Sequence, residues 1–209
     1  VTYNGHEHVH AADLGAAAAN PPSGRPYAFA IARDLAYKNT ALYFRIAAEL
    51  DRLGVDLVLA GKFDAERYLG GGDLPGNVAL AGRVDDAALF ALMRGALCFL
   101  FPSRAEGFGL PAVEAMAVDC PLVVSASPCL PEICADAAIV VDPDDPQGWV
   151  AAVAALKEDP ARRAALVENG RRLRERYAWR KVALHYLALM RGETAGTERA
   201  SLDAAAPAS

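Results

Sequence analysis

The chain is poor in the features that mark several protein classes. Its 209 residues hold four cysteines, Cys98, Cys120, Cys129 and Cys134, and no C-x-x-C pair. That argues against a disulfide scaffold or a zinc site and points to reduced thiols in a cytosolic protein, with a Cys129–Cys134 interaction left open. No apolar run approaches the roughly 20 residues needed to span a bilayer. The opening Val1-Thr2-Tyr3-Asn4-Gly5 lacks the basic start and apolar core of a signal peptide. It also lacks an initiating Met, so residues upstream are expected. Positive charge is not in excess. The net charge of −5 gives no reason to expect nucleic acid as a partner. Nor is the chain short of apolar residues, and a hydrophobic share of 54% argues strongly against a disordered protein.

What is present is an alternation of short apolar runs and helical periodicity. Strands are expected at Tyr27 to Ala32, Val55 to Ala60, Val78 to Ala81, Ala96 to Phe101, Leu122-Val123-Val124, and Ala138 to Val141. Helices are expected from Ala41 to Leu53 behind a Thr40 cap, and from Asp85 or Asp86 to Arg94. Others run from Ala112 to Val118 after Pro111, at Pro131-Glu132-Ile133, from Pro146 to Lys157, from Ala161 to about Tyr177, and from Trp179 to Met190. Near-continuous apolar strands are buried on both faces. The fold class is therefore α/β, a Rossmann-like parallel sheet covered by helices on both faces. One domain, residues 26–190, follows a connector, residues 1–25, and precedes a tail, residues 191–209, expected to be disordered. Residues 62–76 read as a polar, Gly-rich surface excursion. His6, His8 and His10 alternate in the connector, but no carboxylate or Cys cluster completes a metal site, and none is assigned.

Chemistry gathers between Cys98 and Ser125. There a strand stops at Pro102, a Gly-flanked loop follows, and a helix begins at Pro111, with Glu106 and Glu114 on either side. The carboxyl end of a strand feeding the amino end of a helix is where α/β sheets bind anions and ribose. Gly107, Phe108, Gly109 and Leu110 offer backbone N–H groups there. Glu114, placed in the first turn of that helix, either complements the helix dipole or accepts ribose hydroxyls. Glu106 is either an exposed loop carboxylate or an acceptor for sugar hydroxyls. Arg33 and Lys38, after the first strand, are either solvated charges or a diphosphate site.

The combination is more specific than its parts. The string A-E-G-F-G-L-P-A-V-E-A-M-A, Ala105 to Ala117, closely resembles the E-x7-E motif of the retaining GT-B glycosyltransferases of family 4, in their C-terminal, donor-binding domain. Other segments resemble that family in the same order. They are Asn4-Gly5-His6-Glu7 of the connector, Ile31-Ala32-Arg33 with Lys38-Asn39, and Gly82-Arg83-Val84-Asp85-Asp86 of the nucleobase loop. Leu130-Pro131-Glu132-Ile133 and Tyr177-Ala178-Trp179 complete the set. Glu7 stands where the family has Asp, and Ala32 where it usually has Gly.

The resemblance implies the C-terminal half of a GT-B fold and transfer of a sugar, with retention, from a nucleoside-diphosphate sugar. By this likeness Arg33 and Lys38 hold the diphosphate and stabilise it as it leaves. Glu106 contacts the donor sugar, and Glu114 binds the ribose. Phe108, Gly109 and Leu110 support phosphate or sugar through their backbone, and Arg83, Val84 and Asp86 meet the base. No cofactor and no bound metal are implied, consistent with the absence of a D-x-D string in the obvious place. Asp86 and the Lys38-Asn39 pair favour GDP-mannose as donor, in a mannosyltransferase of cell-surface polysaccharide biosynthesis. Such an enzyme is expected in the cytoplasm, at the inner face of the membrane where its acceptor is a lipid. The basic segment from Lys157 to Lys181 reads either as a peripheral membrane contact or as solvated helix faces. The acceptor site is expected in a missing N-terminal domain, against which Trp179–Met190 would pack. A non-catalytic nucleotide-sugar-binding module and a nucleotide-sugar epimerase are the alternatives.

Overall fold

The computed structural model describes residues 24–191 together with Val9. The connector motif Asn4–Glu7, the three histidines and residues 192–209 lie outside the described residues.

Six parallel strands form one sheet in the order β3-β2-β1-β4-β5-β6. They are β1 (Tyr27–Ile31), β2 (Asp56–Ala60), β3 (Val78–Gly82), β4 (Cys98–Phe101), β5 (Leu122–Ser125) and β6 (Ala138–Val141). Alternate side chains enter two separate cores. Phe29, Val58, Phe99 and Val124 face one, and Ala28, Leu57, Leu100 and Val123 face the other. Burial on both faces is the reason these strands read as unbroken apolar runs. The Rossmann-like sheet expected from the sequence is the one observed.

The helices are α1 (Ala41–Arg52), α2 (Glu66–Leu69), α3 (Asp86–Gly95), α4 (Leu110–Ala117), α5 (Leu130–Cys134), α6 (Pro146–Glu158), α7 (Pro160–Arg174) and α8 (Trp179–Met190). α1 and α6 cover one face with Leu42, Ile46, Leu50, Trp149 and Leu156. α3, α4 and α5 cover the other with Phe90, Met93, Val113, Met116 and Ile133. Two caps follow from sequence: Asp85 accepts from Ala88 N at 2.8 Å, and Asp159 accepts from Arg162 N at 2.8 Å. An N-cap aspartate satisfies an otherwise orphaned helix donor.

Three local expectations are corrected. Thr40 does not cap α1, because its hydroxyl donates to Arg33 O at 2.6 Å and accepts from Arg33 N at 3.2 Å. The surface excursion contains α2, whose Tyr68 ring stacks on Phe44 at 5.5 Å. The helix expected to reach Tyr177 stops at Arg174 and tightens into a 3-10 turn over Glu175–Tyr177. At the other end of the sheet the buried Asp56 carboxylate accepts from Arg25 Nη2 at 2.6 Å, which ties the start of β2 to the residue ahead of β1.

α8 contributes no buried residue. Trp179, Leu184, Tyr186, Leu187, Leu189 and Met190 are all exposed. No helix among the described residues is long and apolar enough to cross a membrane.

Candidate functional site

Strand order reverses between β1 and β4, which are hydrogen-bonded neighbours. The chain leaving β1 turns to α1 on one face, and the chain leaving β4 turns to α4 on the other. The two loops therefore part, and a crevice opens at the carboxyl ends of the strands. Both loops singled out from the sequence border it.

The geometry brings Lys38 and Glu106 into contact. Lys38 Nζ lies 2.6 Å from Glu106 Oε1, across 68 positions of sequence. The side chains keep only 20% and 11% of their surface exposed. The ammonium also sits 5.5 Å from the Phe101 ring centre and 5.4 Å from that of Tyr37. Aromatic faces at this range attract a cation. A 3-10 turn, Ala36–Lys38, aims the lysine, with Lys38 N donating to Leu35 O at 2.9 Å.

Asn39 closes that turn in the left-handed region, at φ 56°. Its buried amide donates to Pro102 O at 3.3 Å and to Pro143 O at 2.8 Å. Its Oδ1 accepts from Arg104 Nη2 at 3.1 Å. Arg104 in turn pairs with Asp144 at 2.5 Å and donates its backbone N–H to Tyr37 O at 2.7 Å. The loops after β1, β4 and β6 are thereby joined into one rim. A D-x-D string does stand here, as Asp142-Pro143-Asp144, and its Asp144 is engaged by Arg104. Among the described residues no three His, Cys, Asp or Glu side chains converge as metal ligands would.

Arg33 lies at the mouth of the same loop. Its backbone is held by Thr40, and its exposed guanidinium has no partner among the described residues. The neighbouring Asp34 fastens the excursion after β2, accepting from Asp64 N at 2.9 Å and from Tyr68 Oη at 2.9 Å.

α4 begins behind Gly109, at φ 86°. A Cβ on Gly109 would lie 2.5 Å from Leu130 Cδ2, so this position needs glycine for both its conformation and its space. The Phe108 ring packs edge-on against Tyr177 at 5.7 Å. Cys129 Sγ donates to Glu106 O at 3.3 Å, and burial first, then the Glu106 charge, raises that thiol above its ordinary pKa. From behind, Arg174 donates to the α4 carbonyls of Ala117 at 2.8 Å and Met116 at 3.4 Å. Arg171 binds Asp119 through two bonds of 2.9 Å.

Glu114 is placed one residue deeper in its helix than expected. Leu110 opens α4, so Glu114 is its fifth residue, and no acidic residue lies in the first turn. A helix-dipole effect fades beyond that turn. The correction therefore weakens the bland reading of Glu114. Arg83, Val84 and Asp86 follow β3 at the same sheet edge, two strands from β1. Arg83 and Asp86 are exposed, Val84 packs at the core margin, and none touches the Lys38–Glu106 pair. Of the basic segment, Arg163, Arg171, Arg172 and Arg174 are engaged by carbonyls or carboxylates, leaving fewer free cations for an anionic surface.

Comparison with known proteins bears on the family and the fold. The family described as "Glycosyl transferases group 1" matches residues 16–173. O-antigen chain mannosyltransferase B of Escherichia coli is 34% identical over 108 residues, 52% of this chain and 28% of that protein. The phosphatidyl-myo-inositol mannosyltransferase of Mycolicibacterium smegmatis is 33% identical over 133 residues, 62% of this chain and 34% of that protein. In structure, a sucrose-phosphate synthase from Thermosynechococcus elongatus superposes with a TM-score of 0.71 at 24% identity, over 93% of this chain and 50% of that one. The matches thus span about a third or less of these curated relatives and half of that structure.

Proposed function

This chain belongs to the group 1 glycosyl transferases, and on that premise we propose that its crevice binds a nucleoside-diphosphate sugar for retaining transfer to an acceptor. The observation that carries the reading is the Lys38–Glu106 contact at 2.6 Å, where strand order reverses and a glycine-led helix begins. Lys38 and Arg33 face the diphosphate and stabilise its charge as the bond to the sugar breaks, an electrostatic contribution aimed at the leaving group. Glu106 meets the sugar hydroxyls. Glu114 accepts from the ribose. The backbone of Phe108, Gly109 and Leu110 supports phosphate or sugar. The acceptor hydroxyl bonds to the anomeric carbon on the face the diphosphate leaves, and its proton departs with the diphosphate. The acceptor site belongs, in this proposal, to a further unit, since the matches span only part of the relatives.

The base is read by Arg83, Val84 and Asp86. With Asp85 occupied in capping α3, Asp86 supplies the carboxylate that accepts from the ring N–H and amino group of guanine. A mannosyl donor is supported by the names of the two curated relatives above. Calorimetric titration of the chain with GDP, UDP and ADP tests both levels. Binding of a nucleoside diphosphate that Lys38→Ala weakens is expected, with GDP preferred. A clear preference for UDP overturns the base assignment, and no binding of any of the three overturns the site. A radiolabelled donor then separates transfer from epimerisation and from binding alone.

A further inference from the structure

In the crevice Lys38 and Glu106 form a neutral pair, while the exposed Arg33 guanidinium at the mouth of the same loop is unpaired among the described residues. Glu106 is the only carboxylate in ion-pair contact with Lys38 among the described residues, and Lys38 the only cation in such contact with Glu106. Both ends are held in place. Asn39 and the 3-10 turn fix the lysine, and the Cys129 thiol fixes the Glu106 carbonyl. These bonds fix the backbone at both residues, so the two side chains start within reach of one another.

We infer that Glu106 acts as a placeholder anion that makes the site discriminate a sugar nucleotide from the spent nucleoside diphosphate. The inference rests on the donor-site reading above. A diphosphate arriving at Lys38 meets an ammonium already bonded to a carboxylate. Lysine has three N–H donors and can add a phosphate oxygen without releasing Glu106. That arrangement sets two anions around one ammonium in a half-buried place, where their repulsion is poorly screened. A bound sugar changes the outcome, because its hydroxyls donate to the Glu106 carboxylate and replace what Lys38 gave. A bare nucleoside diphosphate has no hydroxyl there, and Glu106 is left beside phosphate charge without a new donor. The pair therefore penalises the product more than the substrate and promotes release after transfer.

The test is calorimetry of the chain and its Glu106→Gln variant with a nucleoside diphosphate and with the matching sugar nucleotide, after circular dichroism has confirmed folding. Gln keeps an oxygen for the sugar and removes the charge. The variant is expected to bind the bare diphosphate roughly tenfold tighter or more, the scale of one charge-assisted hydrogen bond. The sugar nucleotide gains less, so the preference for it narrows. Glu106→Asp, which keeps the charge, should retain the preference. Should Glu106→Gln fail to fold, Glu106→Ala tests the gain in diphosphate binding, the sugar nucleotide being left out because alanine also removes its acceptor. Unchanged or weaker diphosphate binding without the carboxylate overturns the inference while leaving the donor site standing. A wild-type chain that binds neither compound overturns the donor-site reading, and the inference with it.

Discussion

The Asn39 amide donates to the carbonyl of Pro143 at 2.8 Å, joining the loop after β1 to the loop after β6 across 104 positions of sequence. It does so from a left-handed backbone, φ 56° and ψ 36°, which asparagine tolerates better than most residues. Asn39→Ala removes three side-chain hydrogen bonds and keeps the strain. Asn39→Gly removes the same bonds and relieves the strain. Each variant should lose stability, at about 1 kcal/mol per net hydrogen bond. Alanine should lose about 1 kcal/mol more, the cost of an L side chain in this region. Urea melts of the three proteins give the order, and equal losses in the two variants would show that the conformation at Asn39 stores nothing.

Gly109 and Leu130 pose a packing test. An added Cβ would stand 2.5 Å from Leu130 Cδ2, and Leu130 is fully buried. Gly109→Ala should cost about 1–3 kcal/mol, the range for overpacking a filled core. Leu130→Ala alone should cost about 2–5 kcal/mol through the cavity it leaves. In the double variant the new methyl occupies part of that cavity, so the loss should fall short of the sum. Strict additivity in a denaturant double-mutant cycle would place the Gly109 penalty in its backbone alone.

The fold was legible because its elements announce themselves locally. β4 and β5 are apolar on both faces, Asp85 and Asp159 stand where helices need a cap, and the bounds of α8 follow from Trp179 and the end of periodicity. The rim of the crevice was legible only as a set of residues. That Lys38 meets Glu106 depends on which strands are neighbours, which no local pattern states. Arg174 reads as part of a solvated helix face, because its partners are helix carbonyls dozens of positions away, and nothing local singles out Arg104, whose partner is a side-chain amide 65 positions away. Thr40 was placed correctly and given the wrong partner, since its hydroxyl had a nearer use at Arg33. Glu114 was assigned to the first turn because Pro111 marks a helix start, whereas α4 opens one residue earlier, at Leu110.

Asp119 makes the clamp behind α4 sensitive to acid. Hydrogen bonds from Arg171 come first among the causes that hold its carboxyl below the ordinary aspartate range. The folded-state pKa is depressed, so the paired carboxylate stabilises the fold above its unfolded pKa of about 3.9. That stability is lost as pH falls from there through the folded value. Asp119→Asn should therefore flatten the dependence of stability on pH in the acid range and leave a smaller difference between neutral and acid melts. The pair is partly exposed, so the effect should be modest and reduced by salt. Thermal melts from neutral pH down into the aspartate range, with and without added salt, measure it. An unchanged acid slope in Asp119→Asn would assign the acid sensitivity to other carboxylates.

Glu114 separates a binding role from a structural one. As the fifth residue of α4 it lies beyond the turn where a charge complements the helix dipole, so a purely helical role predicts almost no change in stability on removal. As a ribose acceptor it predicts a loss of affinity. Each hydroxyl bond contributes a net 0.5–1.5 kcal/mol, roughly, so Glu114→Ala should weaken nucleotide binding by about fivefold or more. The same account makes a second demand. The wild-type chain should prefer a ribonucleotide to its 2′-deoxy counterpart, because the missing hydroxyl strands one carboxylate oxygen. The Glu114→Ala chain should bind the two alike, having no acceptor left to strand. Competition calorimetry with the paired nucleotides reads both effects together. A variant that weakens all nucleotides yet keeps the preference for ribose would place the ribose acceptor on another residue, and one that loses stability without losing affinity would give Glu114 a structural role other than complementing the helix dipole.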